Sequence, residues 1–316
     1  MHLPPEIRQI IDKRAEVLGF SALKRAAAAM SEAYRAGDLA RIARMPGSER
    51  AAAYLVTRMP ATYAAAFRVV AEVQDRLNGQ SITSVLDVGA GTGAASLAAR
   101  HWFPGAAMTL LERDSAFAEV ARECLRGAAL LMDDAARAGA LPPHDLVIAC
   151  YSLGELPAAA IDRAWSAARF ALAVIEPGTP AGFERIRAWR GRLLAQGAHM
   201  IAPCPAASPC PLTAPDWCHF GARVERSAWH RRVKHGDLNY EDEKFSYLAV
   251  ARQPATPAGA RIIRRPEHCP GLVTLHTCTP AGTATAHVPH RDRARFRAAR
   301  AAIWGDAWSD DHEPAR

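Results

Sequence analysis

Residues 84–93 read Ser-Val-Leu-Asp-Val-Gly-Ala-Gly-Thr-Gly, and the rest of the chain is organised around them. Val85, Leu86 and Val88 predict a buried parallel strand, and the glycines that follow predict an abrupt turn. From Ala94 to Arg100 the pattern is helical. Strand, glycine-rich turn and helix in that order make the nucleotide-binding corner of a doubly wound sheet. Gly89, Gly91 and Gly93 lack the Cβ that would hold a ligand away from the backbone. The spacing is G-x-G-x-G, which differs from the G-x-G-x-x-G of dinucleotide enzymes. Asp87, at the strand's end, brings a carboxylate to the crevice, which repels a pyrophosphate and suits an amino group.

Downstream the α/β pattern continues. Ala107–Leu111 is a second strand ending at Glu112, about twenty residues past the glycines and placed to accept hydrogen bonds from a ribose diol. A helix over 115–126 leads to a strand over 128–132 and then Asp133-Asp134, with Asp134 in reach of an adenine amino group. Asp145–Cys150 is a very apolar fourth strand, and Ala171–Ile175 a fifth that runs into Glu176-Pro177-Gly178. With this succession, the glycine stretch resembles motif I of the class I S-adenosylmethionine methyltransferases. The implied cofactor is S-adenosylmethionine, with Asp87, Gly89, Gly91, Gly93, Glu112 and Asp134 as its binding residues. After the fourth strand comes Tyr151-Ser152-Leu153-Gly154-Glu155-Leu156-Pro157, where N-methylating nucleic-acid enzymes carry an Asn/Asp-Pro-Pro-aromatic loop. That loop is missing, so cofactor binding is better supported than methyl transfer, and no catalytic residue is assigned.

The chain has 316 residues, half of them hydrophobic, enough to bury one large core or two smaller ones. No apolar run is long enough to span a membrane. The N-terminus moves directly into a helical pattern without a signal peptide, so a cytoplasmic location in a bacterium is expected. The net charge of +7 suits an acidic partner such as nucleic acid. Only Lys13, Lys24, Lys234 and Lys244 are lysines and alanine is abundant, a bias typical of GC-rich coding. Clustering of the arginines therefore says more than their number. Seven cysteines in a cytosolic chain argue against a disulfide framework, and five of them fall after residue 200, which is a metal signal.

The expected organisation is an N-terminal helical lobe (1–78), a Rossmann-like core (79–200) and a cysteine-containing C-terminal extension (201–316). In the lobe, Ile7, Ile10, Ile11, Val17 and Leu18 recur at helical spacing, and Pro60 marks a helix start or break. In the extension, Cys204, Cys210 and Cys218 are separated by intervals other than the C-x2-C of a zinc ribbon. Prolines beside Cys204 and Cys210 stiffen that loop. A fourth ligand has to come from Cys269 or Cys278, or from His219 or His268, and the spacing allows zinc or an iron–sulfur cluster. The bland alternative is buried thiols in an irregular loop. Arg223, Arg226, His230, Arg231, Arg232, Lys234 and His235 surround Trp229, the densest basic stretch, which reads as a phosphate-contacting surface with a stacking ring. Residues 240–252 end in a strand, 272–278 and 283–288 form a hairpin, 291–304 a basic helix, and the acidic tail after 307 is expected to fray.

Taken together, Tyr54–Tyr63, Leu86–Gly93, Glu176–Phe183, the Cys204/Cys210/Cys218 array, Tyr240–Tyr247 and Trp304-Gly305-Asp306 resemble a specific family. It is the methyltransferase-like proteins of the mitochondrial small ribosomal subunit and their bacterial relatives. The resemblance implies a class I methyltransferase fold, association with small-subunit ribosomal RNA during assembly, and a four-cysteine [4Fe–4S] cluster. It places the fourth ligand at Cys278 and leaves Cys269 spare. The expected protein is a monomeric small-subunit assembly factor and candidate rRNA methyltransferase. The competing readings are an active rRNA methyltransferase and a methyltransferase on another substrate with a structural zinc site; the basic stretch disfavours the last.

Overall fold

A computed structural model describes residues 1–234 and 236–309. His235 and the acidic tail from 310 onward lie outside the described residues. The chain begins with α1 (Pro5–Leu18), α2 (Phe20–Ala36), α3 (Leu39–Ala43), α4 (Gly47–Thr57) and α5 (Met59–Arg76). Each break has a local cause. Gly19 and Gly37 take positive φ after α1 and α2, and the chain leaves helical geometry at Arg58, two residues before Pro60. Ile7, Ile11, Leu23, Met30 and Leu55 are buried, so the apolar stripes read from the sequence are the packed faces.

The α/β part follows as β1 (Ser84–Val88), α6 (Ala94–Trp102), β2 (Ala107–Leu111), α7 (Ser115–Cys124), β3 (Ala129–Leu131), β4 (His144–Cys150) and α8 (Ala160–Ala167). Next come β5 (Ala168–Pro177), α9 (Pro180–Ala195), β6 (His199–Ala202), β7 (Phe220–Glu225), α10 (Ala228–Lys234) and β8 (Tyr240–Ala251). The chain closes with β9 (Ala260–Ile262), β10 (Glu267–Cys269), β11 (Leu272–Thr279), β12 (Gly282–Pro289), α11 (Arg293–Ala301) and β13 (Ala307–Trp308).

Two compact units result. The first comprises Met1–Val70, Ile82–Arg169 and Ala222–Glu243; the second comprises Ala71–Ser81, Phe170–Gly221 and the chain from Lys244 onward. In the first, β1 to β4 run parallel in the order β3-β2-β1-β4. Strand order reverses between β1 and β4, and in such sheets ligands bind in the crevice at the strands' carboxyl ends beside that reversal. Strands β1 and β4 are buried along almost their whole length, as expected of central strands covered on both faces, whereas β3 at the edge is largely exposed. In the second unit β8 lies between β5 and β6, antiparallel to both. These runs are the class I methyltransferase-like arrangement that the glycine corner leads one to expect, and the N-terminal helices supply the expected lobe.

The second unit also holds a five-stranded sheet, β10-β11-β9-β13, with β12 paired to β11. The β11–β12 hairpin matches the reading from sequence, with the turn at residues 280–281. Strands β6, β7, β9, β10 and β13 were not expected. They are short or flanked by proline, and give too few alternating positions to be recognised locally.

Candidate cofactor pocket and four-cysteine cavity

The first unit carries a cavity of about 200 Å³ at the carboxyl ends of β1, β2 and β4. Asp87, Gly89, Gly91, Glu112 and Asp134 line it. The three glycines of the corner do different jobs. A Cβ on Gly89 would stand 2.6 Å from the Ser152 Cβ, and one on Gly93 would stand 2.4 Å from Leu125 Cδ1. Those two glycines are required by protein neighbours, and Gly93 is not among the residues lining the cavity. Gly91 alone faces open space, at φ 57°, and so leaves room for a ligand against the backbone.

Glu112 is buried at the end of β2 and clamps the corner. Its Oε2 accepts from the Gly91 N–H at 2.7 Å and its Oε1 from the Asp114 N–H at 2.7 Å. Each carboxylate oxygen keeps a further lone-pair direction for a ligand hydroxyl. Burial, only partly opposed by these N–H donors, raises the Glu112 carboxyl above its usual range. Asp87 is fully buried, and burial pushes its carboxyl up to about 6. Its Oδ2 accepts from the Ser96 N–H (3.1 Å) and hydroxyl (2.7 Å). Gly93 precedes α6 and has no side chain, so Asp87 caps the helix in its place. Asp134 sits at the rim. Its Oδ1 accepts from Ala136 N–H, Arg113 lies 3.2 Å from its Oδ2, and these hold its carboxyl below the usual range.

The N-terminal lobe completes this cavity with residues that carry no recognisable motif. Arg50 donates to the carbonyls of Ala43 (3.1 Å) and Met45 (2.6 Å) and pairs with Asp114 at 2.6 Å. Asp114 in turn caps α7 through Ala116 and Phe117. Tyr54 packs against Phe117 with ring centroids 5.2 Å apart, and burial pushes its hydroxyl up to about 12. Tyr151, at the end of β4, has φ 56° and donates to Glu243 Oε1 at 2.9 Å, where Arg58 also pairs at 3.3 Å. The hydroxyl is thus committed to a protein partner.

The second unit carries a cavity of about 50 Å³ lined by Cys204, Cys210, Cys218 and Cys278, with Phe183, Leu212 and Ile263 among its apolar walls. Cys278 comes from β11, and the other three from the loop between β6 and β7. Burial raises the thiols of Cys204 and Cys218, and pushes Cys278 up to about 11; neighbouring thiols add to the effect. Cys269 is exposed on β10. His219 is sandwiched between Trp217 (4.9 Å) and Trp304 (4.7 Å), and His268 is exposed on β10. Neither histidine lines the cavity. Among the described residues no group of three or more His, Cys, Asp or Glu side chains is set to hold a single metal ion.

The basic stretch is partly neutralised. Arg223 pairs with Asp242 at 2.8 Å, and Arg226 with Glu241 at 3.1 Å. His230 is buried and faces Glu241, and burial lowers its pKa. Arg231 and Arg232 remain exposed on α10, with the Arg232 guanidinium over the rings of Phe20 and Trp229. The phosphate-contacting reading therefore rests on fewer charges than the sequence suggests.

Comparison with protein families matches residues 48–309 to the mitochondrial small ribosomal subunit Rsm22 family. The chain belongs to the Rsm22 family. The human ribosome assembly protein METTL17, mitochondrial, is 25% identical over 296 residues, covering 80% of this chain. The chain spans 61% of the length of that relative. Among solved structures, the plantazolicin methyltransferase BpumL is 9% identical, covering 74% of this chain and 98% of its own, with a TM-score of 0.43. The precorrin-6y C5,15-methyltransferase of Geobacter metallireducens is 17% identical over 58% of this chain and 86% of its own, with a TM-score of 0.39. Within this Rsm22 chain, no helix among the described residues is long and apolar enough to cross a membrane.

Proposed function

We propose that this chain is an assembly factor of the small ribosomal subunit that binds S-adenosylmethionine in the first unit and a [4Fe–4S] cluster in the second. The observation that carries the reading is the family match over residues 48–309, joined to a glycine corner whose Gly91 leaves its cavity open. Glu112 would take the ribose hydroxyls, Asp87 the amino group and Asp134 the adenine edge. Leu111, Phe117 and Leu156 offer apolar walls for a flat ring. Bound S-adenosylmethionine supplies an electrophilic methyl group. In this chain the loop after β4 presents a tyrosine already donating to Glu243, without the side-chain amide that commonly orients a target amine, so the reading is of a cofactor-binding assembly factor acting as a monomer in the bacterial cytoplasm.

The four-cysteine cavity suits a cluster by its donors and its dry walls. A single zinc ion needs four sulfurs at about 2.3 Å from one point. A cubane attaches each thiolate to a different iron, so its ligands stand further apart. Four thiols line this one cavity, and the family resemblance favours the larger group. RNA contact is assigned to Arg231 and Arg232, with the exposed arginines of α11 as a second surface. Methyl transfer to purified small-subunit RNA tests the enzymatic side. The account expects tight cofactor binding with no transfer; turnover on that RNA would make the chain a methyltransferase, and no cofactor binding would make the corner vestigial.

A further inference from the structure

Three arginines line the four-cysteine cavity, and two of them have carboxylate partners: Arg187 pairs with Glu184 at 2.6 Å, and Arg261 with Glu72. Arg261, 1% exposed, is neutralised by Glu72 at 2.6 and 2.8 Å and donates to the carbonyls of Pro203 and Gly305. Arg190, 8% exposed, has no carboxylate within ion-pair distance among the described residues. Its guanidinium donates to the carbonyls of Ala206 (2.9 Å) and Ser208 (2.7 Å) from one nitrogen, while its Nε is buried without a partner. It also lies against Cys204, and its charge reaches Cys278.

An unpaired buried charge is costly, and proteins keep one where an opposite charge joins it. Four thiolates around either a zinc ion or an oxidised cubane carry a net charge of about −2, by the ligand and metal charges alone. The cavity therefore already holds the cation such a centre requires.

We propose that Arg190 is the fixed counter-cation of the metal–thiolate centre, a positioning residue that holds the centre through its charge and orients Cys204. The inference rests on the metal reading above but applies to iron–sulfur or zinc alike. The competing explanation is mechanical: Arg190 clamps the 204–210 loop through its two carbonyl acceptors, and its charge is incidental.

Two variants separate these. Arg190→Gln keeps a donor for the carbonyls and removes the charge; Arg190→Lys keeps the charge and loses the planar fork. The full chain is purified anaerobically and loaded with ferrous iron and sulfide, or with zinc alone. Metal release to a chelator is timed, and the reduced fraction of the iron form is read at fixed potential. The proposal expects Arg190→Gln to release metal about tenfold faster than wild type. It also expects a tenfold lower ratio of reduced to oxidised cluster, about 59 mV for a one-electron couple. Arg190→Lys stays within about threefold of wild type on both readouts, since the charge persists. If Arg190→Gln behaves as wild type, or both variants are equally impaired, the proposal is overturned. Should Arg190→Gln fail to fold, Arg190→Met replaces it. If neither neutral variant folds without metal while Arg190→Lys does, the charge serves the empty cavity and the proposal also falls. A wild type that retains neither metal overturns the metal reading itself, a result distinct from all of these.

Discussion

The Gly91 N–H donates to Glu112 Oε2 at 2.7 Å, tying the turn after β1 to the carboxylate that ends β2. One contact thus fixes both a glycine and a carboxylate that line the cavity, the two residues proposed to meet the cofactor. Gly91→Val combines two effects: a branched side chain at φ 57° is strained, and it stands in the cavity's open space. Calorimetry should find S-adenosylmethionine binding lost in this variant while thermal unfolding stays cooperative. Wild-type affinity in Gly91→Val would put the ligand elsewhere.

Glu112→Ala removes the acceptor for Gly91 and Asp114 together. Hydrogen bonds to a charged group are worth roughly 1.5–3 kcal/mol each, so cofactor affinity should fall at least tenfold. Glu112→Gln, which can still accept, should lose less. An equal loss from the two would indicate collapse of the corner rather than loss of ligand contacts.

Asp87 gives a pH signature. Its carboxyl is raised from 3.8 to about 6 in the folded protein, so its stabilising contribution is full below the unfolded value and lost as pH rises through about 6. Above that, ionised Asp87 costs up to about 3 kcal/mol. Asp87→Asn, still able to accept from Ser96, should match wild type near pH 4 and be the more stable near pH 7.5, while binding the cofactor less tightly. Denaturant unfolding at the two pH values checks it. A stability difference independent of pH would remove burial of the charge as its cause.

The legible parts of this fold are those whose signal is local. The strand, turn and helix over residues 84–102 and the heavy clustering of cysteines after residue 200 can be read without knowing what packs where. Even so, two of the three corner glycines are explained by neighbours, Ser152 and Leu125, that no local reading supplies. The arginines at 223 and 226 read as free because Asp242 and Glu241 come from the following strand. Those acids belong to the Tyr-Glu-Asp-Glu-Lys-Phe-Ser-Tyr stretch that carries much of the family resemblance, and part of its role is therefore structural. The same holds for Glu176–Phe183: Glu176 is buried against Arg185, Thr179 caps α9, and a Cβ on Gly182 would meet the Pro177 carbonyl at 2.0 Å. Arg50 and Tyr54 reach the cavity from helices whose sequence announces only an apolar face.

The cysteine assignments make a paired prediction. Cys278→Ser removes a thiol from the cavity, whereas Cys269→Ser changes an exposed strand residue. Anaerobically purified wild type should be brown with about four irons per chain, as a cubane requires. Cys278→Ser should lose most of that iron and Cys269→Ser almost none. A colourless protein with one zinc would keep the ligand set and replace the cluster.

RNA contact through Arg231 and Arg232 should show in the salt dependence of binding. Each phosphate contact contributes roughly 0.7–0.9 to the slope of log affinity against log salt, so replacing both with alanine should flatten it by about 1.4 to 1.8. Arg223→Ala, which removes a cation already paired with Asp242, should change the slope less. An unchanged slope in the double variant would move the RNA to another surface, α11 being the next candidate.

The central claim is that this Rsm22-family chain works on small ribosomal subunits as they assemble. Crosslinking in living cells, followed by purification of the chain and sequencing of the attached RNA, tests it most directly. The account predicts that small-subunit rRNA dominates the crosslinks, in particles lighter than mature ribosomes, and that Arg231→Ala with Arg232→Ala depletes them. Crosslinks spread over unrelated RNAs, or none above background, would contradict it.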